Sequence, residues 1–300
     1  MHEALGPTDW VHGPGDDAGA LPEGNGHLLL AGEAVWPDLV SADPRAAGAA
    51  AVVANVNDIA AMGGRALGLV DHIVAPEGSA RLLLEGLAWA ADLYGVAVLG
   101  GHLTVRAGEA HMSAAVVGRA EHLLSAAHAA PGQAIVFACA PEGTMRGDFA
   151  FFSSLAARAQ QVAGDVAVLA DLAADRAAVA AKDVSMAGAL GSLAMLLEAT
   201  RCGASVDLDR MTRPPGVRLV EWVHAFPSFG FWLLAPLEGA PRCIRAFEAR
   251  GLAAVDVGRT DASGRVRVRL AGQEALLVDL ARDRITNLSP AGHGRARPRA

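Results

Sequence analysis

The stretch Asn55-Val56-Asn57-Asp58-Ile59-Ala60-Ala61-Met62-Gly63-Gly64 decides how the rest of this chain is read. Its apolar spacing predicts a helix over 46–62, closed by glycines where a left-handed C-cap is wanted. Asn55 and Asp58 stand at i and i+3, on a face otherwise lined by Val52, Ile59 and Met62. An amide and a carboxylate on an apolar stripe need partners. Either the pair caps a neighbouring loop, or Asp58 holds a metal while Asn55 contacts a phosphate or another ligand residue.

Outward from this helix, strand-like and helical patterns alternate. Residues 27–35 read as a strand, 67–74 as a strand, 79–94 as a helix with Ser79 as N-cap, 96–99 as a short buried strand and 110–118 as a closing strand. Gly95 sits where another C-cap belongs. The pattern changes around a Pro131-Gly132 turn, which puts a domain boundary near 121–132. Beyond it a strand is expected over 135–139, an Ala-rich helical region over 149–181 and a helix over 186–200. Strands are then expected at 205–208 and 229–234, a helix at 241–250, and strands near 255, 266–270 and 275–278. That mixture points to an α+β second half, with 289–300 as a frayed Gly/Arg/Pro-rich tail.

A chain of 300 residues, 52% hydrophobic, is long enough for two domains with substantial cores. Its net charge of −7 and scattered arginines offer no electrostatic footprint for nucleic acid. The apolar runs are broken before they reach the ~18 residues of a membrane span, and the start carries no signal-peptide pattern. Cys139, Cys202 and Cys243 match neither a zinc ribbon nor a redox pair, so a reducing, cytoplasmic setting is expected. Lys182 is the only lysine among 25 basic side chains, and a compact ammonium is something arginine does not imitate at a phosphate.

Three further clusters carry chemistry. Gly15-Asp16-Asp17 lies in a tight turn before a strand, where glycine lets backbone amides approach a ligand and carboxylates supply the hard oxygens that magnesium prefers. Gly100-Gly101-His102 follows a strand directly, a common place for ligand-contacting loops. His102 could donate to phosphate, ligate a metal or move a proton. Lys182-Asp183-Val184-Ser185 enters a helix that Asp183 or Ser185 can cap and whose N-terminus can attract phosphate. Gly188 and Gly191 thin that helix at a cost of roughly 1 kcal/mol each, which close packing on a neighbouring backbone would explain. The nucleotide-loop, Rossmann, zincin and hydrolase-elbow motifs are all absent.

Taken in order, Gly15-Asp16-Asp17-Ala18, Asn55 through Gly64, Gly100-Gly101-His102 and Lys182 through Ser185 resemble the aminoimidazole-ribonucleotide (AIR) synthetase superfamily. That group includes thiamine-monophosphate kinase, selenophosphate synthetase and the formylglycinamidine synthetases. Lys182 through Leu193 and Phe226-Pro227-Ser228-Phe229-Gly230-Phe231 are most similar to its AIR synthase-related branch. The resemblance implies a PurM-like two-domain fold, α/β plus α+β. An N-terminal α/β domain (1–121) would bind ATP and magnesium and pair with its twin into a dimeric β-barrel, ahead of a C-terminal α+β sandwich (131–288).

By motif position, Asp16, Asp17 and Asp58 become metal or phosphate ligands, with Glu33 a further metal candidate. Gly15, Asn55, Gly100, Gly101, Lys182 and Ser185 would contact ATP and its phosphates, and His102, Lys182 and Asp183 would carry the chemistry. Three departures stand out. Gly-Gly-His replaces the kinase-like Gly-Gly-Asp-Thr; Met186 stands where many members carry a second Asp; and only 14 residues precede Gly15, where relatives place a segment that covers ATP.

The expectation is therefore a homodimeric, magnesium-dependent enzyme that uses ATP to phosphorylate a small molecule. Its first rival is a non-catalytic nucleotide-binding subunit that kept the fold. The second is a metal-dependent hydrolase built on His72 and His102, for which no recognised His/carboxylate spacing exists.

Overall fold

In the computed structural model, residues 15–147 and 149–286 are described. The 289–300 tail and everything before Gly15 lie outside them. The first sheet has five strands: β1 (Gly19–Glu23), β2 (Gly26–Ala34), β3 (Arg65–Ala75), β4 (Ala97–Val105) and β5 (His111–Ala120). They lie in the order β1-β2-β5-β3-β4, antiparallel except for the β3–β4 pair. A parallel pair needs a crossover, and helix α3 (Glu77–Tyr94) supplies it.

Helices α1 (Pro37–Ala42) and α2 (Pro44–Ala61) connect β2 to β3. Pro44 stands in the first turn of α2 and the Asp43 carboxylate accepts from the Ala46 amide at 3.0 Å, so the helix start is set by its own sequence. At the other end Gly63 has φ +74°, the left-handed exit expected there. Helix α2 packs so tightly on α3 that a Cβ on Gly48 would lie 2.0 Å from the Leu83 carbonyl oxygen, and one on Gly86 1.9 Å from that of Arg45. Buried between the sheet, α3 and the second half of the chain, α2 hides Asn55, Asn57 and Asp58 along with its apolar residues.

The second half begins with a 3-10 turn at Ala126–His128 and builds a seven-stranded sheet. Its strands are β6 (Ala134–Cys139), β9 (Ala180–Asp183), β10 (Gly203–Asp207), β12 (Gly230–Ala235), β13 (Ala253–Asp261), β14 (Arg265–Leu270) and β15 (Gln273–Asp279), in the order β15-β14-β10-β13-β6-β12-β9. A small sheet of β7 (Thr144–Met145), β8 (Phe151–Ser153) and β11 (Phe226–Pro227) sits beside it. Helices α4 (Val162–Ala174), α5 (Gly188–Glu198), α6 (Leu219–His224) and α7 (Ala240–Glu248) complete the unit. Strands β6 and β12 are buried along their whole length, and the Phe137 and Trp232 rings, paired across them, pack at a 50° tilt with centroids 4.7 Å apart. The architecture is the mixed, two-domain α/β plus α+β arrangement expected from the sequence.

Four local expectations are corrected. Helix α3 starts at Glu77 with Pro76 as its cap residue and no side-chain cap bond, so Ser79 lies inside it. The strand expected to be short and buried at 96–99 is instead nine residues long and open to solvent, because β4 lies at the sheet edge with β3 as its one neighbour. The Ala-rich 149–181 region is not one helix: Phe151 and Phe152 pair with Phe226 and Pro227, and residues 180–183 pair with β12. Tertiary pairing there overrides alanine's helix preference. Finally, α5 begins only at Gly188, with neither Asp183 nor Ser185 as its cap. Gly188 is needed there, since its φ is +71° and a Cβ would lie 2.4 Å from the Val223 carbonyl oxygen. This is the close backbone packing inferred from the glycines of that helix for Gly188; at Gly191 a Cβ would meet the Ala187 side chain at 2.7 Å and no neighbouring backbone.

Candidate active site

Three carboxylates from three distant segments meet where α2, the first turn and β9 come together. Asp17, Asp58 and Asp183 each offer an oxygen within 4.8 Å of the others, and among the described residues they form the one such metal-competent group. Gly15, at φ +99°, gives the first turn a left-handed backbone that glycine adopts without cost. The turn delivers Asp17 to β9, where its Oδ2 accepts from the Asp183 backbone amide at 3.2 Å. Lys182 Nζ donates to Asp17 Oδ1 and lies 3.4 Å from Asp183 Oδ1. Asp58 reaches the same spot from α2, and its Oδ2 is buried with no hydrogen-bond partner.

The electrostatics follow from this crowding. Burial pushes the Asp58 carboxyl well above the ordinary range, the Asp183, Asp17 and Glu33 charges add to the rise, and Lys182 opposes it. Asp183 is raised for the same reasons, burial first and Asp17 next. Burial alone would lower the Lys182 pKa, but Asp17 and Asp183 more than offset it, so the ammonium stays charged. Glu33, at the rim on β2, is raised by burial, with Lys182 opposing the rise and the Asp17 charge adding to it. Four carboxylates face one ammonium, and one buried oxygen is unpaired. That donor set fits a hard divalent cation such as magnesium.

The other sequence candidates fall in different places. Asp16 is turned away from the cluster: it accepts from Ser125 Oγ and the Ala126 amide, both at 2.7 Å, and burial raises its pKa to about 6. Asn55 donates to its own helix at the Ala51 carbonyl, 2.8 Å away, with its Oδ1 unpartnered. Ser185 lies at the cavity described next, its amide donating to Ser192 Oγ at 3.0 Å. Gly100, Gly101 and His102 lie on edge strand β4, two strands beyond the β5 neighbour of Glu33. Gly101 is crowded there: a Cβ would lie 2.4 Å from Asp71 Oδ2 on the neighbouring strand. His102 is exposed beside Thr104 Oγ1 at 3.2 Å and opposite His72 in register, with no carboxylate completing a metal group among the described residues.

A cavity of about 230 Å³ opens beside the acidic cluster and shares Asp58, Asp183 and Glu33 with it. Its lining includes the aromatic residues Trp36, Phe149, Phe151 and Phe226. Asn57 also lines it, only 2% exposed, with Nδ2 donating to the Ser228 carbonyl at 3.1 Å and Oδ1 unpartnered. Reading the sequence for a single helix face passed over Asn57, which points about 100° away from its neighbour Asp58. A helix polar on two faces and buried on both was the available signal.

Comparison with known proteins places this geometry in a family. Residues 15–120 match the model of the AIR synthase related protein N-terminal domain, and residues 152–271 that of the C-terminal domain. The uncharacterized protein sll0787 of Synechocystis sp. is 32% identical over 278 residues, covering 92% of this chain and 86% of that protein. A thiamine-monophosphate kinase of Pyrococcus horikoshii is 35% identical over 133 residues, 41% of this chain and 42% of its own. Among solved structures, AaThiL complexed with AMPPCP and TMP has the same fold, with a TM-score of 0.69 at 16% identity over 92% of this chain and 94% of that one. T. maritima PurL complexed with ADP aligns with a TM-score of 0.76 at 19% identity, over 88% of this chain but only 45% of that longer one. The chain belongs to the AIR synthase related family, and its fold is that of the AIR synthetase superfamily.

Proposed function

We propose that this protein is a magnesium-dependent enzyme that uses ATP to phosphorylate a small molecule. The observation that carries the reading is the convergence of Asp17, Asp58 and Asp183, with an unpaired buried oxygen on Asp58 and the chain's one lysine against them. The kinase among its relatives and the ADP and AMPPCP bound in its structural neighbours support ATP as the donor.

In this reading Asp17, Asp58 and Asp183 hold the metal, with Glu33 assisting at the rim, while Asp16, a metal candidate by motif position, instead anchors the turn to Ser125 and Ala126. A bound magnesium ion supplies charge neutralisation for the phosphates. Lys182, permanently charged, balances phosphate charge as well, and the residues otherwise position the reactants. Gly15, Asn55, Gly100, Gly101 and Ser185 remain candidates for nucleotide contact, and His102 for a proton or phosphate donor. The domain assignment at 1–121 and 131–288 belongs to the same proposal.

A homodimer and a cytoplasmic setting complete it. Leu21, Leu30, Leu67 and Leu99 are each more than half exposed, on β1, β2, β3 and β4 respectively. An apolar sheet surface of that kind favours a partner, and a second copy would bring edge strand β4 and His102 against another chain. No helix among the described residues is long and apolar enough to cross a membrane.

The test is thermal stability against ATP with magnesium, with EDTA, and in Asp58→Asn. A ligand at 100 times its dissociation constant stabilises by about 2.7 kcal/mol. A rise that needs both magnesium and Asp58 supports the site; no rise in the parent protein overturns it.

A further inference from the structure

Strands β3, β4 and β5 carry one carboxylate among them, Asp71, and it lies on the buried side of the sheet, 5% exposed. The alternation of exposed and buried residues along β3 and β5 puts His72 and His111 on the opposite, open side. His102 joins them there. It is the register partner of His72 in the parallel β3–β4 pair, and in-register residues of neighbouring strands share a face. Histidines therefore gather on a strand surface without acids, the reverse of the Asp17, Asp58 and Asp183 cluster.

Adjacent strands run about 4.8 Å apart, so the His72 and His102 imidazoles leave the backbone side by side. Each can bring a nitrogen to the about 2.0–2.1 Å that a zinc-like ion requires. Ser113 stands on the other side of His72, and the open-face position before His102 on its own strand is Gly100, so no bulky neighbour separates the pair from solvent. Thr104 Oγ1 lies 3.2 Å from His102 Nε2. With Nε2–H donating to that hydroxyl, the Nδ1 lone pair is left for the ion, the division between ring nitrogens that metal-bound histidines use. Among the described residues no third acid, histidine or cysteine closes a group there, so water would fill the remaining positions. Imidazole nitrogen suits zinc, nickel and copper, whereas magnesium and calcium take oxygen.

We infer that His72 and His102 form a second metal site, on the open face of the first sheet, which takes a nitrogen-preferring divalent transition metal and ties edge strand β4 to β3. Two protein ligands, rather than the three of a catalytic zinc centre, separate it from a hydrolase. The site does not rest on the phosphotransferase reading. It gives His102 a use that excludes phosphate contact while an ion is bound.

Calorimetric titration of the full chain with nickel(II), in an Asp58→Asn background that weakens the acidic cluster, tests the site. One nickel per chain is expected, or one per two chains where copies share it, with millimolar magnesium unable to displace it. His72→Gln and His102→Gln should each weaken nickel at least tenfold while the metal-free melting temperature is retained. His128→Gln, on the 3-10 turn of the second half and beside the Val179 carbonyl, should leave binding unchanged. In the parent chain nickel should protect His72 and His102 from diethyl pyrocarbonate, read by peptide mass spectrometry, a check that needs no variant to fold. Equal nickel affinity in either glutamine variant, protection confined to other histidines, or displacement by magnesium would overturn the inference.

Discussion

Lys182 Nζ donates to the Asp17 carboxylate across 165 residues of sequence, tying the Gly15–Asp17 turn to the C-terminal end of β9. Both groups are nearly excluded from solvent, with side-chain exposures of 9% and 5%. Removing the cation leaves Asp17, Asp58 and Asp183 with no positive charge bonded to them. Breaking a buried pair from one side typically costs about 3–5 kcal/mol. Lys182→Met is therefore expected to lose stability on that scale in urea unfolding with EDTA, and to recover part of it in magnesium. An unchanged midpoint would mean that this pair carries no net stability.

The same crowding sets a pH dependence. Asp16, Glu33, Asp58 and Asp183 all have folded-state pKa values above those of free carboxyls, Asp16 at about 6. A carboxyl raised on folding contributes stability that is fully present below its unfolded pKa and is lost as pH rises through its folded value. Without metal, the melting temperature should therefore fall by several degrees between about pH 4 and pH 7 from these groups. Millimolar magnesium should flatten that slope above pH 6, where the carboxylates can bind it. A melting curve series in which magnesium changes nothing would speak against a metal at this cluster.

Asp58→Asn separates stability from ligation. The amide keeps the shape and removes a charge that burial and three neighbouring carboxylates disfavour. Metal-free stability is expected to equal or exceed that of the parent, while the magnesium-dependent gain disappears. A variant much less stable than the parent in EDTA would instead give Asp58 a structural role.

Gly48 and Gly86 mark the closest approach of α2 and α3. A methyl group at either position meets a backbone carbonyl that has nowhere to move. Gly48→Ala should cost about 1–3 kcal/mol or more despite alanine's better helix propensity. Because α2 carries Asp58 and Asn57, magnesium-dependent stabilisation should weaken with it; a neutral or stabilising Gly48→Ala would contradict the packing described.

The exposed leucines give the dimer proposal a direct check. Leu30→Arg and Leu99→Glu, both on open strand surface, should convert a dimer into a monomer in sedimentation velocity without loss of fold. A parent chain that sediments as a monomer at micromolar concentration would remove the proposal.

The sequence by itself determined the local pieces. Asn55 through Gly64 marked α2 and its glycine exit, apolar runs located most strands within one or two residues, and the order of the acidic motifs indicated the family. Such features depend on neighbours a few positions apart, so they survive in a linear reading. Tertiary structure alone decided which acids meet. Asp16 and Asp17 are adjacent, yet one is held by Ser125 and the other by Lys182, because successive side chains point apart and only the folded surroundings say what each faces. It likewise turned part of an alanine-rich region into strands, since pairing with β11 and β12 outweighed helix propensity. Asn57 became visible only through its surroundings: burial on both sides of α2, a carbonyl from Ser228 fixing one end of the amide, and a cavity lining assembled from segments far apart in the chain.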